Sequence, residues 1–567
     1  MPKVYFIILV SVAAVLAGNL DAIYTIPNEE AVPYSKDVVV QPNPASSEDG
    51  GFIVGTIDTV GGTTYDWGAN GPMNRMIVNS PGHGIHVLWM YSQSASGTSF
   101  PDRNMRYNYY DYAAGAWNWI DPDYMTSGVN VFTDRSGYGN LQADPATGSA
   151  IAGSHQGSGT LSAVFARDFE AGAGFFEYST IPGGHVWPAA VVGQNGYIHV
   201  GALNDPGRAS LDYIRSTTWD DWDSPVSLVG LTSAIQAPAA SKVSDNVCMA
   251  WVPPAEAPGN GRYRISTDAG TTWGTEQILA PPPAFGGDTS AGFWIVGFSP
   301  FYDKFDKLHI VGSVTPYLGG TGYVAPAGIW HWCPDNSPAW TMVGLMSDAD
   351  LQAAVGYNAV AACRPSLGED ANGGLYVVWE QFDPANVEPG PPERLRADIY
   401  YAQDNGDHGQ TWQAPVKITD TDETTKRFPS IIDLLPGDTL VVRYIQDLKA
   451  GFFIQGENVA TNNPIIVHKI STAGIGEGRR VPMVEVLSVR PNPFAGTAEL
   501  SYTLPRASDV EFNVFDLAGR EIARLCDRHQ AAGQYSAVWN AADLTPGIYI
   551  ARLKAGEKML TQKLVLQ

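Results

Sequence analysis

A short strand-turn-strand unit recurs along the chain, and a chain built from such copies must ring or stack them, because no single copy buries its own apolar face. In each copy a segment carrying Arg or Pro is followed by a Gly or Asn turn, then by an apolar strand that often ends in an aromatic. Asn74-Arg-Met-Ile-Val78 with Gly84-Ile-His-Val-Leu-Trp89 is one copy, and Trp187-Pro-Ala-Ala-Val-Val192 with Gly196-Tyr-Ile-His-Val-Gly201 is another. Ala237-Pro-Ala-Ala240 precedes Asn246-Val-Cys-Met-Ala-Trp251 in the same way. Two late copies pair Cys363-Arg-Pro-Ser-Leu367 with Gly374 to Trp379, and Arg427-Phe-Pro-Ser-Ile-Ile432 with Asp438 to Arg443. Weaker copies start near Leu141 and Gly292. About seven units of roughly 45 to 65 residues are the spacing of four-stranded blades around an axis, with six as the alternative count. The expected fold is all-β, a β-propeller over 52–473, closed on itself because an open ring would expose two strand edges. Either Phe52 to Asp58 or Ile465 to Ile470 is placed to complete the last blade.

Composition agrees. The 567 residues exceed the ~250 to 300 at which a single core stops growing. Sixty Gly, 40 Pro and only 16% charged residues describe short strands joined by turns. A net charge of −24 argues against nucleic acid and against an anionic membrane surface, both of which need clustered cations. Residues 1–22 read as a secretory signal, with Lys3 ahead of the apolar run Val4 to Leu16 and cleavage expected after Ala17 or Ala22. That run is shorter than the roughly 20 residues that span a bilayer, so no transmembrane anchor is expected. Residues 23–51 form an N-terminal extension. Of four cysteines, Cys333 and Cys363 are the only pair considered for a disulfide, and burial as small hydrophobes is the simpler reading.

Ser266-Thr-Asp-Ala-Gly-Thr-Thr-Trp273 fits S-x-D-x-G-x-x-W throughout, and Asn405-Gly-Asp-His-Gly-Gln-Thr-Trp412 fits with Asn in place of Ser. These turns resemble the Asp-box, or BNR repeat, of sialidase-like propellers. In Ser266, Asp268, Gly270 and Trp273, and in Asp407, Gly409 and Trp412, the carboxylate can accept backbone N–H bonds, the glycine can take positive φ and the indole can pack between strands. The resemblance implies a structural role on the rim. Weaker relatives are Asp111 to Trp117 and the stretch around Trp219 and Trp222.

After a Gly-rich link at 474–481, residues 482–567 alternate as a small sandwich, with Val510, Phe512 and Val514 on one face. Pro491-Asn-Pro-Phe494, Trp539, Gly547-Ile-Tyr549 and Lys563 to Gln567 punctuate it. This segment resembles the immunoglobulin-like C-terminal sorting domain of type IX secretion, itself similar to a flagellar-hook-cap domain. The resemblance implies export through that machinery, to the medium or the outer cell surface.

For a site, Arg75, Arg364 and Arg427 fall on innermost strands that become neighbours when the ring closes, and three converging guanidiniums would receive an anion or carboxylate. Trp187 at the channel mouth would add a stacking surface, and Glu380, like Glu177, is a carboxylate of the type a sialidase-like hydrolase pairs with Tyr. The catalytic set itself is not identifiable, and the arginines can equally bond carbonyls of adjacent blades. Asp102-Arg-Asn-Met-Arg-Tyr-Asn-Tyr-Tyr-Asp111 mixes charge, amide and aromatic groups as sugar sites do. His86 and His199 occupy matching positions, which indicates a repeated structural role. Asp220, Asp221 and Asp223, and Asp420, Asp422 and Glu423, offer oxygens to Ca²⁺ without diagnostic spacing, so neither a metal nor a cofactor is expected. The expected function is binding of an extracellular glycan or protein ligand by a monomer; a sialidase-like glycoside hydrolase and a non-binding scaffold are the alternatives.

Overall fold

The computed structural model describes residues 55–472 and 487–567, less a few short internal stretches. The expected signal segment 1–22, the extension 23–51 and the 474–481 link all lie outside the described residues. The chain divides into two compact units between Ile470 and Ser471. Among the described residues no helix is long and apolar enough to cross a membrane.

The first unit consists of antiparallel sheets, each starting at an inner strand and stepping outward. Inner strands are Ile77–Ser80 (sheet 1), Ser136–Ala143 (sheet 2), His185–Val192 (sheet 3), Gln236–Ala240 (sheet 4), Ser290–Tyr302 (sheet 5), Ala362–Glu369 (sheet 6) and Thr425–Ile431 (sheet 7). Each overlaps or directly follows the first half of a repeat copy. Successive inner strands touch, as where the Leu141 N–H donates to Arg75 O and the Ile431 N–H to Ser366 Oγ. The ring then closes, because the Met76 N–H of sheet 1 donates to Ser430 Oγ of sheet 7 at 3.0 Å. The unit is a β-propeller.

Both candidate closing segments are used, side by side. Asn463–Ser471 is the third strand of sheet 7 and Thr56–Thr63 its fourth, with Thr56 opposite Lys469 and Thr63 opposite Asn463. Strands from the two ends of the propeller chain thus share one sheet, which leaves no unpaired junction in the ring.

The core lies between sheets. Ala239 and Cys248 of sheet 4 pack with Phe298 and Ile310 of sheet 5, and Ile151 and Phe165 of sheet 2 with Val200 and Ile214 of sheet 3. Covered on both faces, second strands such as Gly84–Tyr91 are buried throughout, which is why they read as apolar runs without alternation. The proline of the repeat also has a reason. In sheets 2, 3, 6 and 7 the inner strand carries a bulge, at Tyr138-Gly139, Trp187-Pro188, Arg364-Pro365 and Phe428-Pro429. The first bulged residue has φ of 52 to 55° in all four. Proline has no N–H to lose there, and the bulge re-aims its neighbour's side chain.

The second unit is a sandwich of one sheet containing Leu487–Arg490, Thr497–Leu504 and Gly533–Asn540, and another containing Ser508–Asp516, Glu521–Gln530, Gly547–Ala555 and Lys558–Leu566. Val510, Phe512 and Val514 face its core with Phe494, Trp539 and Leu564, as their alternation predicts. All four cysteines are free thiols, so Cys333 and Cys363 are not joined.

Candidate functional site

Arg364 and Arg427 come together on one partner while Arg75 bonds elsewhere, and the three form no open pocket. Arg75 spends its guanidinium on backbone, donating to Ile431 O and Leu367 O of sheets 7 and 6, each at 2.8 Å. Arg364 and Arg427 turn to Glu380 on the second strand of sheet 6. Arg364 Nη1 donates to Glu380 Oε1, Arg427 Nη2 stands 3.0 Å from the same oxygen, and the Phe428 N–H donates to Oε2 at 2.8 Å. All three side chains are essentially inaccessible. Burial opposes ionisation of Glu380, but the two guanidiniums and the Phe428 N–H outweigh it and hold the carboxyl below its usual range. The expected anion receptor is therefore corrected to a buried ion-pair network, and Glu380 is not exposed to act on a substrate. Glu177 lies on the outer strand of sheet 2, bonded to Arg167 Nε at 2.7 Å.

The mouth itself is crossed by residues 64–69, which link the closing strand to sheet 1. Trp67 lies edge-on to Phe452 with centroids 4.8 Å apart and 5.2 Å from Tyr357. Beside it remains a cavity of about 20 Å³, bordered by Ala69, Asn74, Tyr138, Trp187 and Gln236. That volume holds about one water molecule. Trp187 borders this cavity, with the Arg208 guanidinium 4.8 Å from its ring. Nothing in the sequence reading anticipated the crossing segment. Its signal was the length of Thr64 to Met76, too long for a tight connection.

A roomier site lies at the side of sheet 1. A cavity of about 330 Å³ is lined by Tyr91, Gln93, Asp102, Asn104, Arg106, Asn130, Asp134 and Arg135, among others. Asp102, Arg103, Asn104 and Arg106 of the lining come from the stretch 102–111, most of which forms the strand Asn104–Asp111. Period-two alternation splits it: Arg106 faces the cavity, whereas Tyr107 and Tyr109 point into the core. The lining is pinned in advance. Asp102 accepts Ser92 Oγ and the Gln93 N–H at 2.6 and 2.7 Å. Arg106 stacks over Tyr91 at 4.2 Å and donates to the carbonyls of Thr126, Ser127 and Gly128. Asn104 Nδ2 donates to Phe132 O at 2.7 Å. Burial draws Arg106 below and Tyr91 above their ordinary ranges.

The turns 266–273 and 405–412, which resemble Asp-boxes in sequence, lie between third and fourth strands. Asp268 accepts the Ser266 hydroxyl and the N–H and hydroxyl of Thr272, which holds it down at about 2. Asp407 does the same with the N–H and hydroxyl of Thr411. Gly270 and Gly409 have φ of 80° and 74°. Their tryptophans do more than pack within a sheet: each clamps the preceding one. Trp273 lies 4.8 Å from Tyr213 of sheet 3, and Trp412 lies 5.3 Å from His331 of sheet 5. The Asp111 and Trp222 turns occupy equivalent hairpins. Asp168 is a further relative that the sequence reading missed, accepting the Gly174 and Phe175 N–H groups. His86 and His199 each contact a tyrosine on the third strand, Tyr107 and Tyr213, at 2.7 Å, and in sheet 5 His309 meets His331 at 2.8 Å.

The acidic clusters are engaged locally, Asp223 with Arg215 at 2.8 Å and Asp422 with Lys426 at 2.7 Å. Among the described residues no group of three or more His, Cys, Asp or Glu side chains is placed to hold a metal ion.

A closed ring of sheets, followed by a separate sandwich, defines a β-propeller protein with a C-terminal domain of its own. Residues 488–567 match the secretion system C-terminal sorting domain, and through that domain the protein is secreted or held at the outer cell surface by the type IX machinery. No curated protein matches the chain. Among solved structures, a PL25 ulvan lyase bound to -[GlcA(1-4)Rha3S]- is similar over 72% of this chain and 96% of its own, at 12% identity and TM-score 0.45. An α-L-arabinofuranosidase from Fusarium graminearum matches 60% of this chain and 97% of its own (12% identity, TM-score 0.36), and the Hadza microbial sialidase Hz136 67% and 75% (12% identity, TM-score 0.32).

Proposed function

We propose that the propeller binds an extracellular glycan at the side cavity of sheet 1. The carrying observation is the cavity itself: about 330 Å³ falls in the range of roughly 300 to 1,000 Å³ used by small-ligand sites, whereas the closed mouth holds one water. Its rim of amides, carboxylates and guanidiniums suits a ligand dense in hydroxyl groups, and a lining fixed by backbone contacts costs little ordering on binding. Binding rather than hydrolysis is favoured by Glu380, the strongest carboxylate candidate, being locked between two arginines.

A glycan array with the full exported chain, followed by titration calorimetry on the best ligand, tests this. Asp134→Ala and Arg135→Ala should each weaken binding about tenfold or more, near ~1.4 kcal/mol, with the fold intact. An array without saturable binding, or affinities unchanged in both variants, removes the reading. Release of product from glycoside substrates would replace it with turnover.

A further inference from the structure

The hydrogen-bond donors lining the side cavity of sheet 1 are spent on the protein itself. Arg106 commits four of its five N–H groups, to the carbonyls of Thr126, Ser127 and Gly128 and to Asn130 Oδ1. Arg103 is buried. It donates to Ser136 O at 3.0 Å and to Tyr65 Oη at 3.3 Å, and it stands over the Tyr65 and Tyr138 rings at 5.5 and 5.3 Å. Arg135 Nε donates to Phe100 O at 3.1 Å, and Asn104 Nδ2 to Phe132 O and Asp134 O. These contacts hold the wall in place and leave it little to offer an acceptor.

The acceptors are left over. Asp102 takes one donor on each oxygen, from Ser92 Oγ and the Gln93 N–H, where a carboxylate has room for about four. Asp134 is exposed, and among the described residues its carboxylate accepts no hydrogen bond. Neither acid is ion-paired with a described lysine, arginine or histidine. Gln93 donates through Nε2 to Met125 O, and its side-chain oxygen is open. Three guanidiniums against two carboxylates bring the lining near charge balance, so the hydrogen bonds each group can still make decide between ligands more than the net field does.

We propose that this cavity, on the glycan-binding reading above, selects uncharged sugars over uronates and sulfate esters, and that Asp134 sets the choice. A sugar hydroxyl brings the donor that Asp102, Asp134 and the Gln93 oxygen lack. A ligand carboxylate or sulfate brings acceptors alone. It meets one uncommitted N–H on Arg106, where a bidentate grip takes two, and it sets its charge against both acids. Attraction of the neutral sugar and repulsion of its anionic competitor therefore act at the same side chains.

An array that sets each neutral oligosaccharide beside its uronate and its sulfated counterpart, probed with the full exported chain, reads the choice. The neutral member of a bound set should hold about tenfold or more tighter than its charged partners. Asp134→Asn keeps the size of the side chain and removes its charge, so it should narrow that ratio by about threefold or more while circular dichroism stays unchanged. A charged member bound as tightly as its neutral counterpart, or a ratio that does not move in Asp134→Asn, would overturn the proposal and leave glycan binding standing. Absence of saturable binding to every member removes both readings together.

Discussion

Glu380 is the residue on which most depends within sheets 6 and 7. It gathers two guanidiniums and a backbone N–H with no exposure to water, so Glu380→Gln leaves buried positive charge uncompensated. We expect a loss of about 3 to 5 kcal/mol in urea unfolding. The histidines of the second strands give the fold a pH dependence of their own. Burial holds His86 and His199 down at about 3, so both are neutral in the fold. The unfolded chain takes up their protons near ~6.5, and stability contributed above that pH is lost as it falls from ~6.5 toward ~3, by up to ~1.4 kcal/mol per pH unit for each. Chemical denaturation at a series of pH values should show this slope, reduced in His86→Gln and His199→Gln. The pairing of these histidines was legible from matching positions in the repeat. That their partners would be Tyr107 and Tyr213 was not, because the contact crosses between strands whose register the sequence leaves open.

Among the elements, the Asp-box turns and the closing strand do the joining. At Gly270 an added Cβ would lie 1.7 Å from Tyr213 Oη, and the residue has φ of 80°. Gly270→Ala should therefore cost more than the ~1 kcal/mol of an ordinary Gly-to-Ala change at positive φ, measured by thermal or urea unfolding, because the turn must withdraw from sheet 3. The closing strand Thr56–Thr63 is bound at one edge by Lys469, whose ammonium lies 2.7 Å from Asp58 and 3.9 Å above the Tyr110 ring of sheet 1. Beginning the chain at residue 64 would remove the outer strand of sheet 7 and bare the edge of Asn463–Ser471. Such a chain should elute as aggregate in size-exclusion chromatography, while one beginning at residue 51 should not. The turns were readable because S-x-D-x-G-x-x-W demands its residues chemically. Their clamping of the previous sheet was not, since it depends on the rotation between neighbouring sheets.

For the whole molecule, the propeller and the sorting domain are separate units. Deleting residues 488–567 should leave the protein behind the outer membrane in cell fractionation, without changing the unfolding of the propeller by more than about 1 kcal/mol. The repeat, the S-x-D-x-G-x-x-W turns and the alternation around Phe512 were sufficient to determine an all-β chain and the rhythm of its sheets, because burial pattern and turn chemistry are local properties, while its exported fate came from the resemblance of 482–567 to a sorting domain. Only the tertiary structure decided what the arginines do. Arg75 bonds the carbonyls of Leu367 and Ile431, Arg364 and Arg427 share one buried glutamate, and a segment with no motif of its own closes the mouth they would have served. Which partner a guanidinium finds is set by groups hundreds of residues away, and no local pattern encodes that choice.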